Sequence, residues 1–581
     1  MSGYAPEFIP MSRKELEVLG WNEIDVLLIT GDAYVDHPSF GAALIGRMLL
    51  SRGYRVGIVA QPDWKKPESL QVMGRPTLAC AITSGNLDSM VNIYTAGRRF
   101  RKKDAYSVNG ETGKRPPHAL VVYTQLAKRA FPKLPIVLGG IEASLRRIAH
   151  YDYWQDKIRP GVLVDSKADI AVYGQGELPT PEIFDRLRDG HDLVGIPGSF
   201  RLLGKNAAEK FKPEPDSFVE LPSWDEMQAD RDALMRATII VEQEMNPLTG
   251  RMLIQRYGDR LLVLEPPPRP MTTEEFDAVC SLPYAGRPHP VYKGPVPAYE
   301  TIQDSIPAVR GCPGGCAFCG LVSHQGRTII CRSEDSIVEQ VEKRAKDKSY
   351  RGTISDIGGA AGNIYGSGPH DVKKCRGCRR SSCLFPKKCP NFRIDEKRLT
   401  DLLRRVRALP EVKHLYVNSG IRLDMANRQP NLMREIVRHH VSGHLKVAPE
   451  HLNPKVLRLM RKNPAEDFYE FKQFFEAESQ AVDKEHYLIP LFISNFPGCT
   501  ETEMKTVDDY LDRSNWSPQQ VQDYIPLPMT MGAAMYYTGK ESSGNPIKVN
   551  RGLRERREQI DMLKKVRRGS RRKSKYRSYK K

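Results

Sequence analysis

Short apolar runs alternating with helical stretches constrain this chain more than any other feature of its sequence. Residues 24–30 (IDVLLIT) have the makeup of a buried strand, and a turn-rich DAYVDHPSFG follows them. A helix carrying Leu44, Ile45, Met48 and Leu49 comes next, stops at Gly53, and leads into a second strand over 55–60. Further apolar runs bounded by turn formers stand at 78–82, 136–138 and 169–173, with a helix over 118–130 between them. Strands of this kind separated by helices predict a parallel, doubly wound sheet. Such sheets bind ligands beyond the carboxyl ends of their strands. At those ends the chain carries Gly31 and Asp32, Gly139 and Gly140, and Gly174 and Gly176.

Residues 196–297 read as a mixed connector: a helix near 223–236, a hairpin, then LEPPPRPM at 264–271. Three consecutive prolines favour extended chain over the interior of an element. A second alternation begins near Ile302, with strands at 304–309, 352–357, 414–418, 444–448 and 487–493. Its helices fall near 333–347, 395–408, 429–440 and 500–513. Successive βα units predict a full or partial (β/α) barrel with its reactive groups at strand carboxyl ends. The expected fold class is α/β: a doubly wound domain over 1–195, the connector over 196–297, a barrel over 298–545 and a basic, disordered tail over 546–581. Fifteen Lys and Arg against three acids in residues 551–581 supply most of the net charge of +19. The low-complexity RRGSRRKSKYRSYKK is expected to be disordered.

Hydrophobic residues make up 40% and charged residues 27%, which excludes a wholly disordered, collagen-like or disulfide-dense chain. No run approaches the roughly 18 apolar residues that cross a bilayer, and MSGYAPEFIPMSRKELEVLG lacks a secretory signal pattern. The expected location is the cytoplasm, with no membrane partner, where clustered cysteines indicate metal or catalysis rather than disulfides.

Seven of the eleven cysteines fall into two tight groups. RGCPGGCAFCG places Cys312, Cys316 and Cys319 in a C-x3-C-x2-C triplet on a glycine-rich loop after the strand at 304–309. Thiolates are the usual ligands of iron–sulfur clusters, and a four-iron cubane normally uses four of them. Three on one loop would leave the fourth iron open to an exogenous chelate, at the top of the barrel. A zinc knuckle is the alternative, although it prefers four closed ligands. Cys331 is a candidate fourth ligand that reads better as part of a strand or loop core. KKCRGCRRSSCLFPKKCP places Cys375, Cys378, Cys383 and Cys389 within fifteen residues. Four thiolates can close a second metal site unaided, as structural zinc or an auxiliary iron–sulfur cluster. Lys373, Lys374, Arg376, Arg379, Arg380 and Lys387 would offset its charge, contact RNA, or simply be solvated.

The triplet, with Phe318 before its last cysteine, resembles the cluster motif of the radical S-adenosylmethionine (SAM) superfamily. The resemblance extends to GDAYVDHPSFG at 31–41, VLGGIEASLRRIAHYDYW at 137–154, YGQGE at 173–177, IPAVRGCPGGCAFCG at 306–320 and the cysteine quartet. VNSGIRLDM at 417–425, KVAPEH at 446–451 and FPGCT at 496–500 agree as well. On these stretches the chain is similar, over nearly its full length, to the YgiQ-type radical SAM proteins, whose substrate is unknown. The resemblance implies a [4Fe–4S] cluster on Cys312, Cys316 and Cys319 with SAM on the open iron. Reductive cleavage would then give a 5′-deoxyadenosyl radical that abstracts hydrogen from RNA or a small metabolite. It also implies an electron donor of the flavodoxin or ferredoxin type. Gly358 and Gly359, in SDIGGAAGN, occupy the place of the family's glycine pair near the cofactor amino group; a plain strand-end turn is the alternative.

Glu450 and His451 follow the strand at 444–448 and are expected at the rim facing a nucleotide ribose or substrate, with Asn418, Arg422 and Asp424 in the same layer. Solvated or salt-bridged strand-end charges are the alternative. Cys499 reads either as a radical relay or as a buried thiol. The N-terminal domain resembles a cobalamin-binding arrangement, but Asp36 and His37 depart from the D-x-H-x-x-G signature. His37 is therefore expected to cap the next helix or meet solvent, and cobalamin is not expected. The basic tail suits RNA phosphates as well as solubility. A zinc-stabilised nucleic-acid-binding protein without radical chemistry is the alternative function.

Overall fold

The structure is a computed structural model that describes residues 6–518 and 521–567. Strands β1 (Val26–Thr30), β2 (Val56–Ala60), β3 (Ala79–Thr83), β4 (Ile136–Gly139) and β5 (Ile170–Val172) pair in parallel in the order β2-β1-β3-β4-β5. Helices α1 (Gly41–Ser51) and α2 (Ala119–Ala130) lie among the connections. All five residues of β1 are buried, as expected for a parallel sheet covered on both faces. The apolar runs predicted from the sequence are these strands, with ends shifted by a residue or two.

Residues 196–297 are not a connector. β6 (Ser199–Leu203), β7 (Phe218–Glu220), β8 (Met252–Tyr257) and β9 (Arg260–Leu264) extend the same sheet to nine strands, β6 joining β5 antiparallel. The hairpin β8–β9 pairs back onto β6, so Leu262, Val263 and Leu264 are buried where the sequence offered only a local hairpin. The first unit therefore runs past the boundary expected at 195. The proline stretch comes after its last strand.

The second unit is a partial barrel. β10 (Ser305–Pro307) pairs in parallel with β11 (Asp356–Gly358), while Thr353 and Ile354 pair with β12 (His414–Leu415). Ile421 bridges Val447 of β13 (His444–Glu450), and β13, β14 (Tyr487–Ser494) and β15 (Gln522–Asp523) continue the parallel series. Helices α3 (Glu334–Ala345), α4 (Lys397–Arg407), α5 (Pro430–His439), α6 (Glu466–Ala481) and α7 (Glu501–Arg513) lie between the strands. Among the described residues β15 does not pair back to β10.

The tail is ordered well beyond residue 546. Helix α8 (Leu553–Lys564) packs on α7 and β14 and buries Arg556, Gln559 and Leu563. Arg556 donates to the Tyr524 carbonyl and to Asp523 at 2.8 Å, and Gln559 Oε1 accepts from Asn495 N–H at 2.8 Å. Polar anchors rather than an apolar stripe dock this helix, and for that reason its composition reads as disorder. The expectation for residues 568–581 lies outside the described residues. Among the described residues no helix is long and apolar enough to cross a membrane.

Candidate functional site

The triplet loop leaves β10 through a short antiparallel pairing of Val309–Arg310 with Ile330–Cys331. It is pinned on both sides: Cys312 N–H donates to Gly326 O at 3.1 Å, Ala317 N–H to Met460 O at 3.0 Å, and Gly532 N–H to Ala317 O at 2.7 Å. Phe318 meets Phe496 edge-on with centroids 6.4 Å apart. Cys331 is a strand residue whose sulfur accepts from Gly366 N–H at 3.2 Å, and it plays no part in the loop.

The Arg422 guanidinium reaches across the barrel mouth to this loop. Its Nη1 lies 3.8 Å from Cys312 Sγ and 3.9 Å from Cys316 Sγ. Gly314 makes the approach possible, because a Cβ there would sit 2.3 Å from the same nitrogen. Arg422 is buried, paired with Asp424 (Nε to Oδ1 3.1 Å), and fixed through its backbone by Asn363: Arg422 N–H donates to Asn363 Oδ1 at 2.9 Å and Asn363 Nδ2 to Arg422 O at 3.0 Å. Burial raises the Cys312 thiol, and Arg422 opposes that rise. Burial pushes Cys319 up to about 12, with the neighbouring Cys316 adding to it. Cys312 and Cys319, whose thiols burial keeps protonated, are groups that a cationic metal centre would turn into thiolates. The donor set fits such a group.

Glu450 ends β13 with a left-handed backbone (φ +68°) and a buried side chain. A non-glycine residue held in that region marks a place where the fold tolerates strain for position. Burial raises its carboxyl, Lys462 and Arg422 oppose the rise, and its charge acts on Cys319. Glu450 is thus within electrostatic reach of Cys319 and Arg422. His451 is engaged elsewhere: its Nδ1 accepts from Asn453 N–H at 3.0 Å, and its Nε2 lies 3.4 Å from the buried Cys499 sulfur. Burial takes that imidazole down to about 3 and the Cys499 thiol up to about 12, so both are neutral. Asn418 supports Asp356 of β11, donating its N–H to Oδ1 at 2.9 Å.

A cavity of 530 Å³ separates the carboxyl ends of β3, β4 and β5 from the barrel. Gly140 and Gly176 line its first wall; Arg310, His324, Gly358 and Gly359 line the second. Gly359 is also demanded by packing, since a Cβ there would stand 2.1 Å from Val309 O. Both readings of the glycine pair are thus compatible with its place. Arg310 forms an ion pair with Glu177 across the cavity edge, and His324 Nδ1 lies 2.9 Å from Ser144 Oγ. Neither Arg310 nor His324 stands out in the sequence, although Arg310 directly precedes the Gly-Cys of the triplet. His37 is buried, its Nδ1 accepting from Ser39 N–H at 3.1 Å, and it is not among the cavity-lining residues. It closes a local turn ahead of α1, which has no side-chain cap, so it neither caps that helix nor meets solvent.

The quartet packs directly on the triplet loop. Cys383 N–H donates to Pro313 O at 2.9 Å and Ser382 Oγ to the same carbonyl at 3.3 Å. Among the described residues no group of three or more His, Cys, Asp or Glu side chains stands as closely as around a single metal ion, and this holds for both cysteine groups.

Residues 8–305 match the family model described as Radical SAM N-terminal. A UPF0313 protein of Rhodopseudomonas palustris is 44% identical over 95% of this chain and 85% of its own length. A UPF0313 protein of Geobacter sulfurreducens is 44% identical over 96% of this chain and 92% of its own. Among solved structures, the radical SAM methyltransferase TsrM from Kitasatospora setae, with cobalamin and a [4Fe-4S] cluster bound, aligns at a TM-score of 0.45 and 15% identity over 87% of this chain and 74% of that one. OxsB, a cobalamin-dependent SAM radical enzyme with aqua-cobalamin bound, aligns at 0.47 and 10% identity over 92% of this chain and 58% of that one. Likeness at those scores carries nothing about ligands to this chain.

Proposed function

This chain is a radical SAM enzyme of the UPF0313 family, and on that premise we propose that Cys312, Cys316 and Cys319 hold a [4Fe–4S] cluster at which SAM is reductively cleaved. The observation that carries the reading is Arg422, whose buried guanidinium spans two of the three sulfurs through the gap left by Gly314. When bound and reduced, the cluster supplies the electron that splits SAM into methionine and a 5′-deoxyadenosyl radical. The chain's own residues prepare for that chemistry. The pinned loop presents three donors, Arg422 balances their charge, and Gly358 and Gly359 line the cavity at the end of β11, where a nucleotide would lie. Glu450 offers a buried carboxyl within electrostatic reach of Cys319 to orient the nucleotide. The cavity between the two units, closed at its edge by Arg310 and Glu177, provides a place where substrate meets the barrel mouth away from bulk water. No observation favours the zinc-stabilised nucleic-acid-binding alternative.

The test is 5′-deoxyadenosine release. Full-length protein reconstituted anaerobically with ferrous iron and sulfide should release it from SAM under dithionite. A Cys316→Ala variant should release essentially none; equal release by the two proteins would overturn the proposal.

A further inference from the structure

The four-cysteine segment is folded into two arms that meet. Cys378 N–H donates to Cys375 O at 3.2 Å, closing the turn between the first two thiols, and Cys389 N–H donates to Cys383 O at 2.7 Å, closing the second arm. Asn391 ties the arms together: its Nδ2 donates to the Asp371 carbonyl at 2.8 Å and to Cys375 Sγ at 3.4 Å. Asn246, from the first unit, donates to the carbonyls of Cys375 and Cys378 at 2.9 and 3.1 Å. Cys378 and Cys389 are close enough to act electrostatically on both Cys375 and Cys383, as does Arg327. An amide aimed at a sulfur, carbonyls fixed from outside and a guanidinium nearby are the surroundings that orient and neutralise metal-bound thiolates. Four uncharged thiols would need none of them.

We propose that Cys375, Cys378, Cys383 and Cys389 form a second, thiolate-ligated metal centre, zinc or an iron–sulfur cluster, that backs the triplet loop. The backing is direct, because the arm bearing Cys383 holds the Pro313 carbonyl through both Cys383 N–H and Ser382 Oγ. The centre does not depend on the reading of the triplet, since its ligands are separate.

Iron, acid-labile sulfide and zinc per chain, measured on anaerobically purified full-length protein, test it. A Cys312→Ser/Cys316→Ser/Cys319→Ser variant should keep either about one zinc or about four irons with matching sulfide. A Cys375→Ser/Cys378→Ser/Cys383→Ser/Cys389→Ser variant should lose that metal and still hold between about a tenth and about half of the triplet's iron. In the native parent, iodoacetamide should modify the quartet at least about tenfold more slowly than after chelation with 1,10-phenanthroline, a comparison that needs no variant to fold. A metal-free triplet variant, or quartet thiols that react equally fast before and after chelation, would overturn the centre. Undiminished triplet iron in the quartet variant would overturn its backing role. Failure of the triplet reading gives a different pattern: a quartet variant that holds no iron while the triplet variant still does.

Discussion

Glu177 and Arg310 form a buried ion pair that ties the turn after β5 to the residue preceding the triplet loop. Their side chains are 5% and 15% exposed, so neither charge has water as a ready substitute. Removing one partner of a buried pair strands the other, at a cost of about 3–5 kcal/mol. Arg310→Met should therefore lower the melting temperature more than the double variant Arg310→Met/Glu177→Gln. Thermal melts of the two under anaerobic conditions check this, and equal or larger loss in the double variant would count against the pairing.

Arg422 should set the potential of the triplet centre. A positive charge beside two sulfurs favours the state with one more electron, and its removal disfavours that state. Arg422→Lys keeps the charge but loses the pairing of Nε and Nη2 with Asp424 that aims Nη1 at both sulfurs, whereas Arg422→Met loses both. The midpoint potential should fall in the order parent, Lys, Met. An EPR-monitored redox titration reads that order directly.

Gly359→Ala places a methyl group 2.1 Å from the Val309 carbonyl, which is backbone and cannot swing away. The strands must part or the loop must shift, and overpacking of this kind costs about 1–3 kcal/mol. The expected outcome is a lower melting temperature together with reduced 5′-deoxyadenosine release. A variant that melts and reacts like the parent would mean that the glycine is dispensable.

Acid should destabilise the fold in a defined window. Burial, helped by Arg310 and Arg147, takes His324 down to about 4, and burial takes His37 down to about 4. The unfolded chain therefore binds more protons between its histidine range near 6.5 and pH 4, so stability is full above about 6.5 and falls as pH drops through the window. Each such histidine accounts for about 3 kcal/mol across it. His324→Gln should flatten the fall in melting temperature between pH 6.5 and 4, while an unchanged slope would show that His324 is not buried neutral.

The first five strands were readable because strands of a parallel sheet are buried on both faces and appear as apolar runs; Val26–Thr30 is wholly buried. The barrel strands were readable as shorter apolar stretches that are only partly buried, and most of their helices from amphipathic spacing, although Glu466–Ala481, between β13 and β14, was not foreseen. Pairing across distance was not. Nothing local to residues 252–264 says that they join β6, and nothing in Arg556 or Gln559 marks them as interior groups that find partners in Asp523 and Asn495. The site divides along the same line. Cysteine spacing placed the triplet by itself, whereas Arg422 acquires its role only because the chain between β12 and β13 brings it back over Gly314. Arg310 and His324 likewise became visible only once the two units faced each other across the cavity.

The most direct measurement is the EPR spectrum of the dithionite-reduced triplet centre, recorded on the quartet-to-serine variant with and without SAM. An iron left open by only three cysteines should take up the nucleotide, and the signal should change its g-values and shape on addition. Superimposable spectra in the presence of saturating SAM would contradict the account, because they would mean that the centre has no position to offer.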